Sequence, residues 1–146
     1  MEIPETFRDE MGHMNVTWYT HLFSEAMGGL MSYLGLSSDY IKQERIGGVA
    51  LEAHIHYLAE VHIGDHVSVY SRVLARSEKR MHMLHILHNE SQNQLSSLFE
   101  GIMACFDLES RRMATIPNPI GSRLDEVIGE HKRLDWPAPL TGVMKP

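Results

Sequence analysis

Leu22, Phe23, Ala26, Met27, Leu30, Met31 and Leu34 recur at spacings of three and four residues after Val16, the stripe of an amphipathic helix. Asn15 stands where a capping side chain is wanted, and Gly35 where the chain must leave the helix. The pattern predicts a helix from about Asn15 to Leu34, preceded by a brief strand over Ile3 to Arg8. Gly28 and Gly29 fall in mid-helix, where each costs about 1 kcal/mol against alanine, so another group is expected to approach them closely. Past Gly47-Gly48 the period becomes alternating. Val49, Leu51, Ala53, Ile55 and Tyr57 exchange with Ala50, Glu52, His54, His56 and Leu58, as in a strand with one apolar face. Gly64-Asp65 turns the chain, and Val67, Val69, Ser71 and Val73 continue the alternation. The charged run Ser77-Glu78-Lys79-Arg80 turns it again, and Met81, Met83, His85 and Leu87 give a further strand. Asn89 to Gln94 has turn composition, Leu98 to Leu108 reads as the next strand, and Pro117 and Pro119 end it. Ser122 is placed to cap a last helix, Leu124 to Lys132, before a proline-rich tail from Trp136.

A long helix followed by strands on short links implies an α+β fold, a mainly antiparallel sheet wrapped around one central helix. The far face of the sheet and its edge strands would then be bare, and a second copy of the chain is the expected cover. The 146 residues, 43% hydrophobic and 22% charged, read as one domain over 1–146. A net charge of −6 with scattered basic residues leaves no nucleic-acid footprint. Cys105 has no disulfide partner, the N-terminus lacks a signal peptide, and no apolar run approaches the roughly 18 residues of a spanning helix. These features predict a reduced, cytoplasmic protein with no membrane partner.

Chemistry concentrates ahead of the helix, in Asp9-Glu10-Met11-Gly12-His13-Met14-Asn15. The first-turn N–H groups and the positive end of the helix dipole point to where Gly12 lets a second group come close, so they can polarise a carbonyl that Asp9 attacks. Asp9 would equally serve as a turn cap on spacing alone. Glu52, His54 and His56 share one strand face, yet no third ligand has metal-site spacing. His85 falls on the opposite strand face from His82 and His88, which removes a second metal candidate.

The run Asp9-x-x-Gly12-His13-Met14-Asn15, with Tyr19, Phe23, Ala26, Tyr57 and Gly64-Asp65 downstream, resembles the hotdog-fold thioesterases of the 4-hydroxybenzoyl-CoA thioesterase-like superfamily. Within it the chain is most similar to the betainyl-CoA thioesterase-like branch associated with carnitine breakdown. That likeness rests on Leu51 to Ile55, Tyr57-Leu58, Glu60, Lys79-Arg80-Met81-His82 and Glu100 six residues before Phe106-Asp107. The chain departs from the pattern in its short first strand, and in Cys105 and Phe106 where a histidine and a small apolar residue are expected.

The resemblance implies hydrolysis of a small acyl-CoA, in the branch betainyl-CoA, by a homodimer in which dimers can pair to a tetramer, with no metal and no cofactor. Asp9 takes the catalytic carboxylate position, as nucleophile or general base, and the Val16 N–H the oxyanion position. His13 would orient Asp9 or touch the thioester. Gly12, Asn15, Trp18, Tyr19, Glu52, His54 and Tyr57 would line the substrate site, with the aromatics able to cage a trimethylammonium and Glu25 or Glu100 to balance it. Arg76, Lys79 and Arg80 would meet the CoA phosphates. Two other readings share the fold: an acyl-CoA-binding protein without catalysis, and a hydratase or dehydratase, for which His21 lacks a carboxylate partner.

Overall fold

Asn15 and Gly35 set the limits of the long helix as their chemistry requires. In the computed structural model, which describes residues 1–146, α1 spans Val16–Tyr33 and the Asn15 side chain accepts the Thr17 N–H at 2.9 Å. At its other end the Leu36 N–H reaches Met31 O (2.8 Å) and the Gly35 N–H reaches Ser32 O (3.1 Å), with Gly35 at φ +101°, a Schellman closure. A short second helix, α2 (Ser38–Glu44), follows at once under a Ser37 cap. The strand expected over Ile3 to Arg8 is instead a 3-10 turn, Glu5–Phe7, flanked by single bridges from Glu2 to His66 and Arg8 to Met14. Pro4 has no N–H for a ladder, and its carbonyl accepts from Phe7 to start the turn.

The strands β1 (Ile46–Tyr57), β2 (Val67–Arg76), β3 (Arg80–Asn89) and β4 (Gln94–Asp107) form an antiparallel sheet in the order β1-β4-β3-β2, with β5 (Arg112–Met113) paired to the end of β4. The arrangement is the expected hotdog: α1 lies on one face, where Phe23 meets Phe99 and where Leu30, Met31 and Leu34 pack with Met81, Met83 and Met103. The last helix, α3 (Asn118–His131), adds Ile120, Leu124, Val127 and Ile128 to that cluster. Each such fully buried side chain contributes about 1.5–3 kcal/mol. α3 begins before Ser122, with Pro119 inside its first turn, where the missing N–H had no intrahelical acceptor to lose.

One expectation fails for a local reason, and two others are not met by the chain alone in the way expected. The single apolar face assigned to β1 is broken by a bulge between Ala50 and Glu52: Ala50 pairs with Met103, but Glu52 pairs with Ile102. The extra residue, Leu51, reverses the facing, so Ala53, Ile55 and Tyr57 turn toward α1 and Val49 does not. Gly28 and Gly29 are exposed, and a Cβ on either would meet nothing within 4 Å. No part of the chain approaches them. Finally, part of the far sheet face, expected to be bare, is covered by the chain's own C-terminal segment, while Glu52, His54 and His56 stay exposed on it. There the Thr141 N–H donates to Glu100 Oε2 at 2.7 Å, Glu100 Oε1 meets His82 Nε2 at 2.8 Å, and Met144 is buried. Burial pushes the Glu100 carboxyl up, but its bonds to Thr141 and His82 outweigh this and hold it below its ordinary value. No helix is long and apolar enough to cross a membrane.

His85 is fully buried on the α1 face, bonded through Nδ1 to Ser71 Oγ at 2.7 Å, with Nε2 unpartnered. Burial pushes its imidazole down to about 4. Between pH 6.5 and 4 the unfolded chain therefore takes up a proton that the folded chain refuses, and stability falls as pH falls through that window. The expected loss is about 3 kcal/mol, from roughly 1.4 kcal/mol per pH unit. Denaturant titrations across the window will show this slope in the parent and its loss in His85→Gln.

Candidate active site

The segment Asp9 to Asn15 is held as a rigid turn by its own backbone. The Asp9 N–H donates to His13 O at 3.0 Å and the Gly12 N–H to Asp9 O at 3.2 Å, while Arg8 Nη1 donates to Gly12 O at 2.9 Å. Gly12 sits at φ +93°, which residues with a Cβ rarely adopt. One carboxylate oxygen of Asp9, Oδ1, accepts the Met11 N–H at 2.8 Å. The other, Oδ2, faces His13 Nδ1 at 3.3 Å. The Met14 N–H donates to Val61 O and the Asn15 N–H to Phe7 O, so the turn is tied on both sides just before α1 begins. Asn15 spends its side-chain oxygen on the Thr17 N–H, whereas the Val16 N–H has no acceptor within the chain.

This turn forms one wall of a cavity of about 390 Å³. Met14, Asn15, Val16 and Tyr19 continue the wall along α1, and Tyr57, Leu58, Ala59 and Glu60 form the wall opposite. The Tyr19 and Tyr57 rings meet edge to face, with centroids 5.3 Å apart, and the Tyr19 hydroxyl donates to Ala59 O at 3.4 Å. Burial pushes that hydroxyl up, and the negative charges of Glu60 and Asp9 act in the same direction. Glu60 Oε1 lies 3.8 Å from His13 Nε2, so the imidazole stands between two carboxylates.

Asp9, Asn15, Val16, Tyr19 and Tyr57 thus come together with His13, and Gly12 shapes the turn that carries them. Trp18 does not join them. It stacks flat on Phe7, centroids 3.7 Å apart and 4° from parallel. Glu52 and His54 lie exposed on the sheet face away from α1, in register with Ile102 and Glu100, and Glu100 is engaged on that same face by His82 and Thr141. Arg76 is bound through two nitrogens to Asp125 of α3, at 2.7 and 2.6 Å. With Lys79 and Arg80 it occupies the end of the sheet remote from the cavity. Arg80 pairs with Ala104 and Tyr57 with Ser97, a separation of roughly 23 Å along β4 at about 3.3 Å per residue. Glu60 and its neighbours Leu58 and Ala59 were not expected in the pocket. Leu58 and Glu60 stand among the residues that carry the branch likeness, which gave them no role; their other signal is position, on the link directly after a strand that ends in Tyr57.

The sequence pattern of the thioesterase-like superfamily matches residues 6–124. The chain belongs to that superfamily. A relative from Pseudomonas aeruginosa named betainyl-CoA thioesterase is 29% identical over 88% of this chain and 81% of its own length. Among solved structures, a Staphylococcus aureus protein in complex with CoA superposes with a TM-score of 0.88 at 24% identity, covering 94% of this chain and 86% of that one. A 1,4-dihydroxy-2-naphthoyl-CoA thioesterase from Synechocystis gives a TM-score of 0.76 at 20% identity, over 87% of this chain and 93% of that one. At these identities the structural likenesses establish the thioesterase-like fold. The matched residues, 6–124, begin ahead of the Asp9 turn and end within α3, so the pocket lies wholly inside the superfamily pattern.

A Cβ at Gly12 would meet only Arg8 Nη1, at 3.9 Å, so substitution there is opposed by backbone conformation and not by crowding. Gly12→Ala is expected to lower the unfolding free energy by about 1–2 kcal/mol, the cost of forcing an L-residue to positive φ. Equilibrium denaturation will measure it.

Proposed function

We propose that this chain hydrolyses a small acyl-CoA at the N-terminus of α1, with Asp9 as the attacking or base carboxylate. The observation that carries the proposal is the meeting, in one cavity, of the free oxygen of Asp9 and the uncommitted N–H of Val16. A thioester carbonyl placed between them is attacked on carbon by Asp9, or by water that has given a proton to Asp9. The electron pair of the carbonyl moves to oxygen, where the Val16 N–H and the helix dipole meet the new charge. Collapse of that oxyanion expels the CoA thiolate. Where Asp9 is the nucleophile, water then hydrolyses the mixed anhydride it has formed and frees Asp9; by either route one water is added and a carboxylic acid and the free thiol are left. His13 Nδ1, 3.3 Å from Asp9 Oδ2, is the group placed to orient it. Betainyl-CoA is the acyl donor favoured here, because the P. aeruginosa relative bears that name and the aromatic pair Tyr19 and Tyr57, able to attract a trimethylammonium group, lines the cavity.

Two copies of the chain complete the site in this reading. β1 is an unpaired edge strand. If two β1 strands pair antiparallel about a two-fold axis, the Arg76 to Arg80 turn of one copy comes to the cavity end of the other. It then stands about three strand spacings away, roughly 15 Å, within the span of a CoA arm. One 146-residue domain per subunit, kept reduced in the cytoplasm, satisfies this arrangement.

Free-thiol release from a panel of acyl-CoAs tests the proposal. Asp9→Asn keeps the Oδ1 acceptor for the Met11 N–H and so keeps the turn, yet is expected to lower kcat at least about a hundredfold. Binding of acyl-CoA without thiol release by the parent would instead mark a non-catalytic binding protein. Sedimentation equilibrium is expected to give at least twice the 16.7 kDa subunit mass.

A further inference from the structure

We infer that Glu60 is the residue that selects for a cationic acyl group, as counter-ion to a quaternary ammonium seated against Tyr19 and Tyr57. The inference rests on the hydrolase reading above and adds a specificity determinant to it. The hydrolytic steps employ Asp9, His13 and the Val16 N–H and leave Glu60 without a task. Neither of its neighbours satisfies it: His13 Nε2 and His62 Nε2 each stand 3.8 Å away, beyond hydrogen-bonding distance. No lysine or arginine lines the cavity, and its two carboxylates share one imidazole within it, His13, with His62 beside Glu60 outside the lining. A cavity of this kind repels an anionic acyl group and favours a cation.

The backbone beneath Glu60 is fixed although its side chain is 64% exposed. The N–H groups of Leu58 and Ala59 both donate to Ser96 O, at 2.9 and 3.1 Å, and Ala59 O accepts the Tyr19 hydroxyl. The carboxylate is therefore carried at the cavity wall by a pinned link, beside the aromatic pair. A trimethylammonium has no N–H to donate. It is held by aromatic rings and by a nearby diffuse negative charge, and Tyr19, Tyr57 and Glu60 bring both to one cavity wall. Glu25 and Glu100 do not take this place. Glu100 is bound to His82 and Thr141 on the other face of the sheet, and Glu25 is exposed on α1 outside the cavity.

The test compares betainyl-CoA with 3,3-dimethylbutyryl-CoA, the same shape with carbon in place of the charged nitrogen. The parent is expected to favour betainyl-CoA in kcat/KM by at least about tenfold, and Glu60→Gln to remove about a factor of ten from that ratio, equivalent to 1.4 kcal/mol. Glu60→Asp should restore part of it. An unchanged ratio in Glu60→Gln overturns the inference, and so does an equal loss on both substrates, which would make Glu60 a part of the chemistry or the fold. Cleavage of other acyl-CoAs but of neither member of the pair also overturns it, while leaving the hydrolase reading intact. Thiol release from no acyl-CoA at all removes both.

Discussion

The start of α1 is held from two sides, and every functional group described depends on that. The Asn15 N–H is bound to Phe7 O in the N-terminal turn, and the Met14 N–H is bound to Val61 O in the link between β1 and β2. These two bonds fix where the helix begins relative to the end of β1. They therefore fix the distance between the groups carried on either side: Asp9 and the Val16 N–H on one wall of the cavity, Tyr57 and Glu60 on the other. The Asn15 cap completes the arrangement, because by accepting from Thr17 it leaves the preceding N–H of Val16 unclaimed. A cap that took the first donor would remove the proposed oxyanion contact while keeping the helix.

Much of this was legible in the sequence because it is local. The apolar stripe of α1, the cap at Asn15 and the stop at Gly35 each express one rule acting over a few residues, and all three hold in the structure. The strands from Val67 onward follow their alternation for the same reason. What was not legible depends on counting across an irregularity. A single extra residue, Leu51, reverses the facing of β1, and no pattern of apolar residues announces it, since Leu51 continues the alternation that its bulge breaks. Tyr57 and His54 also lie on opposite faces by simple parity, so they could not both line one pocket. Glu60, noted only for the branch likeness, was given no place in the site because it belongs to no periodic element: it sits on an irregular link, and only the Tyr19 and Ser96 contacts of that link make it a wall of the cavity. The cover on the far face was hidden for a similar reason. The Thr141 N–H that reaches Glu100 is a backbone group, and its bond carries no residue signature.

The two edges of the sheet are treated differently, and the difference bears on the proposed dimer. An exposed strand edge presents unpaired N–H and C=O groups that invite association, and chains commonly blunt such edges. β2 is blunted at both ends. The amino group of Met1 and its carbonyl both bond to Val67, the Ile3 N–H reaches Asp65 O beside it, and His131 Nδ1 accepts the Val73 N–H further along. No other segment bonds to the free edge of β1, whose one blunting feature is the bulge at Leu51, and Leu51 and Tyr57 are about half exposed on it. It carries neither a proline nor a lysine. Stability of the isolated subunit would favour blunting both edges. A bare edge on the side of the cavity, opposite a capped edge on the other, is what the proposed dimer requires.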